Sequence, residues 1–144
     1  MERKGRLVEY ETVKIVKKKV IRAFPEENDF LSLFECEPML LDTTSKDLPF
    51  YYNKVTYRFF NGEEDFIVTL SPSYGEVKIQ VTHRTSNRLL SLLDLKRVDK
   101  FEIKSDQKDH SVVLLTVVNE NYQQMIEIDF KPYFKQIFKE HFTG

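Results

Sequence analysis

Residues 54–70 read KVTYRFFNGEEDFIVTL, in which two runs of β-forming residues flank the dipeptide Asn61-Gly62. An Asn-Gly pair between alternating apolar residues is the strongest short-range indication of a β-hairpin with a two-residue turn. Such a turn puts both of its residues at positive φ and sets Tyr57 opposite Phe66. Because two aromatic side chains then face each other, the sequence predicts an antiparallel hairpin in this register.

Further strand-like segments follow the hairpin at 76–83, 96–104, 111–118 and 123–130. The segment 76–83, EVKIQVTH, alternates apolar and polar side chains, as expected of a half-buried strand. The segment 111–118, SVVLLTVV, is apolar on both faces, which is typical of a strand in the middle of a covered sheet. Short links between consecutive strands favour antiparallel pairing. The sequence therefore predicts a single antiparallel meander sheet of about five to six strands over residues 54–130.

Apolar residues recur at helical spacing outside the predicted sheet. The N-terminal part, residues 1–40, is predicted to be mostly helical, with one helix over 9–24 and a second over 29–36. A C-terminal helix is predicted over 131–142, because Pro132 suits a first helical position and four apolar side chains then share one face: Phe134, Ile137, Phe138 and Phe142.

These elements predict one α+β domain spanning residues 1–144. Over roughly residues 54–142 the order of elements, strands leading into a closing helix, resembles that of the pleckstrin-homology-like barrel. The resemblance rests on element order alone, and it implies a barrel with a helix at its end. Residues 87–95 are ambiguous between helix and strand, and three leucines at helical spacing favour one or two helical turns: Leu89, Leu92 and Leu93.

The composition narrows the class of protein. The chain has 144 residues, 41% of them hydrophobic and 31% charged, which is typical of one soluble globular domain. No stretch approaches the length of apolar residues that a membrane span needs, and the first residues lack the apolar core of a secretory signal. The single cysteine, Cys36, has no partner for an internal disulfide. A cytoplasmic location is therefore expected.

The charge is unevenly distributed although the formal net charge is only −1. Residues 1–24 hold eight Lys or Arg against three acids, whereas residues 25–65 hold three against ten. The two regions are interpreted either as faces that meet in the fold or as a patch for a partner. A near-neutral chain argues against general capture of nucleic acid.

Residues that could carry chemistry are few. Neither a phosphate-binding glycine loop nor a dinucleotide fingerprint occurs, and the three histidines, His83, His110 and His141, are too widely spaced for a metal motif. His83 is interpreted as the residue where a buried row meets solvent. Whether His83 and His110 converge depends on the conformation of residues 87–95. Cys36 lies between two glutamates, which disfavour a thiolate. The sequence thus predicts a non-enzymatic protein without cofactor or metal.

A binding surface is predicted around Tyr51 and Tyr52. They follow Leu48-Pro49-Phe50, and three adjacent aromatic side chains on an extended segment cannot all point inward. With the nearby carboxylates of Asp42 and Asp47, an exposed tyrosine would suit a partner protein, since tyrosine is a common interface anchor and an acidic rim attracts a basic partner.

The predicted function is protein–protein contact, as a regulator, an adaptor or an inhibitor. The alternative is a carrier of a small apolar ligand held between the sheet and the terminal helix. Homo-oligomerisation is left open by the sequence.

Overall fold

The computed structural model describes residues 23–41 and 47–142. Within them the chain forms one α-helix and nine strands, so the fold is largely β. The elements are α1 (Glu27–Phe34), β1 (Met39–Leu40), β2 (Val55–Phe60), β3 (Glu64–Ser71), β4 (Glu76–His83), β5 (Leu89–Leu95), β6 (Lys100–Gln107), β7 (His110–Val118), β8 (Tyr122–Lys131) and β9 (Lys135–Phe142). Two short 3-10 turns, Phe50–Tyr52 and Pro72–Tyr74, precede β2 and β4.

The strands form two antiparallel sheets. One has the order β1-β2-β3-β4-β5 and the other the order β6-β7-β8-β9. Each sheet is a meander, as predicted, but the prediction of a single sheet is wrong. The chain leaves the first sheet after β5, where the fully buried Val98 donates a 2.7 Å backbone hydrogen bond to the carbonyl of Gly75. The described strands do not close into a barrel, so the architecture implied by the pleckstrin-homology-like resemblance is not found.

The hairpin at Asn61 forms with a different turn. Phe60 pairs with Asp65 and Tyr57 pairs with Val68, so the register differs by two residues from the predicted one. Neither Asn61 nor Gly62 has a positive φ. The Oδ1 atom of Asn61 accepts hydrogen bonds from the backbone N–H groups of Glu63 and Glu64 at 2.8 and 2.7 Å, which closes a longer loop. A shift of two residues keeps every side chain on its predicted face.

Two predicted helices are strands. Residues 89–95 form β5, and residues 135–142 form β9 at the end of the second sheet. In β9 the apolar residues predicted to share one helical face divide between the two faces of the sheet, because side chains alternate along a strand. Residues 135–142 pair with β8, and the backbone hydrogen bonds of this pairing stabilise a strand although the local apolar spacing favours a helix.

Helix α1 confirms the predicted helix over 29–36 within two residues of each end. Its inward side chains, Phe30, Leu33 and Phe34, are buried as predicted. Its N-terminus is capped by reciprocal hydrogen bonds between Glu26 and Asp29. The helix predicted over 9–24 lies outside the described residues except for its last two, of which Ala23 forms a parallel β-bridge with Lys100 of β6.

The core lies between the two sheets and under α1. Phe30 is fully buried, and its ring centroid lies 6.1 Å from that of Tyr57 in β2 and 5.2 Å from that of Phe101 in β6. One helical residue therefore contacts both sheets. Burial of an aromatic side chain of this size stabilises the fold by about 1.5–3 kcal/mol. The alternating residues predicted to point inward from β8, Ile126, Ile128 and Phe130, belong to the same core.

Candidate functional site

A surface groove runs along the part of the first sheet next to the two 3-10 turns. Its wider part, about 600 Å³, is lined by Leu41, Leu48, Tyr52, Lys54, Ser71, Tyr74 and Glu76. A narrower part of about 220 Å³ continues from the same Lys54, Ser71 and Glu76 to Lys78, Asp94 and Lys96. We refer to both parts together as the tyrosine groove.

Tyr52 lies on the tyrosine groove and is 57% exposed. The predicted extended segment is instead a 3-10 turn at Phe50–Tyr52, which begins after Pro49. Phe50 packs against the core, 5.8 Å from the ring of Phe30, so the turn directs Tyr52 away from it. The side chain of the buried Asn53 fixes the turn by donating to the carbonyls of Leu48 and Pro49 at 3.1 and 3.4 Å.

Tyr74 is the second aromatic residue of the tyrosine groove and is 69% exposed. It ends the 3-10 turn Pro72–Tyr74, which Gly75 closes with a φ of 72°, a conformation that favours glycine. This tyrosine was not singled out from the sequence. The available signal was a large aromatic residue in a Pro/Gly turn, where it has no strand neighbours to cover it.

The narrow part of the tyrosine groove carries alternating charges. Lys54 lies 3.9 Å from Glu76, and Lys96 lies 3.4 Å from Asp94. These pairs are substantially exposed to solvent, so each contributes at most about 1 kcal/mol to stability. Their charges remain accessible to a partner, whereas the wide part offers aromatic and aliphatic contact area. The groove therefore combines the anchors and the polar rim that occur in protein interfaces.

The four residues predicted to form a binding surface are only partly together. Tyr51 is half-buried, and its ring meets that of Tyr52 edge to face with the centroids 5.2 Å apart. Asp47 is exposed but does not line the tyrosine groove. Asp42 lies outside the described residues. Of the three predicted residues that the structure describes, Tyr52 lines the groove directly.

The histidines have local hydrogen-bond partners. The Nδ1 atom of His83 lies 3.3 Å from the hydroxyl of Thr85 in the following turn, and His110 lies 2.8 Å from the hydroxyl of Ser105. Both are near the Gly62 end of the molecule, since His83 and the neighbours of His110 line cavities that share Gly62. Within residues 23–41 and 47–142, no group of three His, Cys, Asp or Glu is arranged to hold a metal ion.

Cys36 is half-buried, and burial raises the pKa of its thiol. A backbone hydrogen bond from Arg58 lowers the pKa, and the nearby negative charge of Glu37 raises it further, with a net increase. A thiol held in its protonated form is a poor nucleophile and a poor metal ligand. The ligand space predicted between a sheet and a terminal helix is not found, because residues 135–142 are a strand.

Comparison with known proteins gives one informative match. No family model matches the chain, and no curated protein matches it either. Among solved structures, the fold is similar to a chain of a contact-dependent growth inhibition toxin–immunity protein complex from Klebsiella pneumoniae 342, with a TM-score of 0.66. The alignment covers 85% of this chain and 100% of that chain at 18% identity, so the likeness is one of fold. No helix among the described residues has the length and hydrophobicity required to span a membrane.

Proposed function

We propose that this chain is a non-enzymatic binding protein that inhibits a protein partner by holding it against the tyrosine groove. The observation that carries the proposal is the convergence of Tyr52 and Tyr74, two exposed tyrosines from separate turns, on one groove. In protein–protein interfaces, a few aromatic side chains surrounded by a polar rim commonly contribute most of the binding energy.

The structural neighbour supports a particular class of partner. That neighbour belongs to a complex between a growth inhibition toxin and its immunity protein. We therefore propose that the partner is a toxin domain and that this chain has the neutralising role. Anchoring tyrosines on short, internally bonded turns suit this role, because they lose little conformational freedom when the partner binds.

The test is neutralisation of a panel of toxin domains of contact-dependent growth inhibition systems. Growth of cells that express the toxin is measured with and without this chain, and the affinity of the purified pair is measured by calorimetry. The double variant Tyr52→Ala, Tyr74→Ala is expected to raise Kd by about 30-fold or more, the effect of losing about 2 kcal/mol of interface contact.

Tyr133→Ala is the matched control, since Tyr133 is 58% exposed and does not line the groove. This variant should retain the parental affinity and the parental rescue of growth. Binding without rescue would contradict inhibition, and equal losses for the control and the double variant would contradict the assignment of the groove.

A further inference from the structure

The exposed apolar residues of the second sheet concentrate on its last strand. β9 is the outermost strand in the order β6-β7-β8-β9, and all eight of its residues are exposed. Phe138 is 54% exposed and Phe142 is 79% exposed. Leu89 and Leu90 of β5 are also exposed, and the next residue, Ser91, donates a 3.1 Å hydrogen bond to Gln136 of β9. Exposed apolar area of this kind marks an interaction site.

Two of the features that protect a sheet edge from pairing, proline and irregular pairing, do not occur in β9, although it does carry Lys135 and Lys139. It contains no proline, and its pairing with β8 has no register shift over eight residue pairs. The other outer strands differ from it. β1 has two residues, the pairings of β5 and β6 contain register shifts, and β6 already carries the bridge from Ala23. Among the described strands, β9 is thus the long, regular edge that remains available.

We propose that β9 binds β9 of a second copy of this chain, in a two-fold antiparallel pair centred on Phe138. Residues that face each other across an antiparallel pair must lie on the same side of the sheet, which restricts a two-fold pair to registers centred on a residue. Centring on Ile137 would set Lys135 against Lys139 of the partner subunit, and centring on Lys139 would set that lysine against itself. Both registers place like charges opposite each other, which is unfavourable.

The register centred on Phe138 is self-complementary. It stacks the two Phe138 rings and places Gln136 opposite Glu140 of the partner subunit. The Oε1 atom of Gln136 accepts from Ser91, which leaves its amide N–H groups as donors. The Oε2 atom of Glu140 accepts from Gln124 at 3.0 Å, which leaves the second carboxylate oxygen as an acceptor. Because of the two-fold symmetry, the hydrogen bond between Gln136 and Glu140 forms twice. A second copy therefore supplies hydrogen-bond partners for the outer edge of β9.

Sedimentation velocity over a concentration series tests the association. The parent chain is expected to shift from monomer to dimer, and Phe138→Lys is expected to raise the dimer Kd by about tenfold or more, a change of about 1.4 kcal/mol. Tyr133→Lys is the matched control, because Tyr133 is an aromatic residue of similar exposure that lies outside β9. Thermal unfolding of both variants should match that of the parent, since each replaces an exposed side chain.

Disulfide trapping tests the register. In a Cys36→Ala background, Phe138→Cys should form a disulfide-linked dimer on mild oxidation, because a residue on the axis faces its own copy within disulfide range. Gln136→Cys should not, since its copy lies four residues along the strand, about 13 Å away.

A monomer throughout the series, or cross-linking at Gln136→Cys instead, overturns the proposal. So does a Phe138→Lys variant that loses a different protein partner while the sedimentation of the parent is unchanged. Variants of the tyrosine groove should leave the dimer intact, so failure of the proposed function is distinguishable from failure of this one.

Discussion

The side-chain amide of Asn61 donates a 2.8 Å hydrogen bond to the backbone carbonyl of Phe130 in the opposite sheet. The same side chain closes the β2–β3 loop through its Oδ1 atom. Asn61 is buried, and its hydrogen bonds with Phe130 and Glu64 are shielded from water, whereas the one from Glu63 is partly buried. A single side chain therefore fixes the local turn and joins the two sheets.

Asn61→Ala is expected to destabilise the protein by about 2–4 kcal/mol, because it leaves the buried carbonyl of Phe130 and two loop N–H groups without their partner. Urea unfolding measures the difference. Gly62→Ala is the control, since a Cβ atom at Gly62 would meet no atom within 4 Å and the residue has no positive φ. If the two variants unfold at the same urea concentration, Asn61 does not have this role.

The buried hydroxyl of Tyr57 predicts a loss of stability at high pH. Burial, and to a smaller extent the negative charges around it, raise the pKa of Tyr57 above its ordinary value of 10.0. Above pH 10 the unfolded chain releases this proton while the folded chain retains it. The free energy of unfolding must then fall with rising pH, by about 1.4 kcal/mol per pH unit until the folded pKa is reached.

The variant Tyr57→Phe lacks this proton and isolates its effect. Near pH 7 it should be as stable as the parent or more stable, because the hydroxyl is buried without a hydrogen-bond partner among the described residues. Above pH 10 the variant should become progressively more stable than the parent in urea titrations. A stability difference between the two chains that does not change from pH 8 to pH 11 would contradict a raised pKa.

The strands that were predicted correctly have apolar residues at a clear spacing of two. In β4 the apolar residues Val77, Ile79 and Val81 alternate with polar ones, and the structure buries all three. In β5 the sequence LLSLLDL fits both a helical and an alternating spacing. Its pairing partner in β4 decides between them, and that partner cannot be identified from local spacing.

The hairpin register was wrong for a different reason. The rule for Asn-Gly turns assumes that the backbone alone closes the loop. Here the Asn61 side chain closes it and also binds the other sheet, so a contact distant in sequence selects the longer loop. Adjacent aromatic residues in the sequence pointed to an exposed tyrosine at Tyr51 or Tyr52, whereas Tyr74 lines the same groove as Tyr52 only because two turns meet in the fold.

The core provides a test of the two-sheet arrangement. Phe30 contacts rings of both sheets, so Phe30→Ala is expected to cost about 3–5 kcal/mol and to lower unfolding cooperativity. Leu31→Ala is the control, because Leu31 lies beside it on α1 outside the buried core. Equal stability of the two variants in urea would show that α1 does not hold the sheets together.

The variant Asn53→Ala tests whether binding at the tyrosine groove depends on the fixed conformation of the turn that carries Tyr52. Asn53→Ala removes two hydrogen bonds to the carbonyls of Leu48 and Pro49, but it also removes a buried amide oxygen that has no partner in residues 23–41 and 47–142. These effects oppose each other, and water can reach the carbonyls of the exposed Leu48 and Pro49, so the net cost should be only about 1 kcal/mol.

Binding should suffer more than stability in the Asn53→Ala variant. The turn that orients Tyr52 becomes free to move, and ordering it again on binding costs free energy that the parent chain does not lose. Calorimetry with the proposed toxin partner should give a Kd raised by about five- to tenfold, with urea unfolding little changed. If affinity stays at the parental value while Tyr52→Ala weakens it, Tyr52 binds without needing its turn to be held in advance.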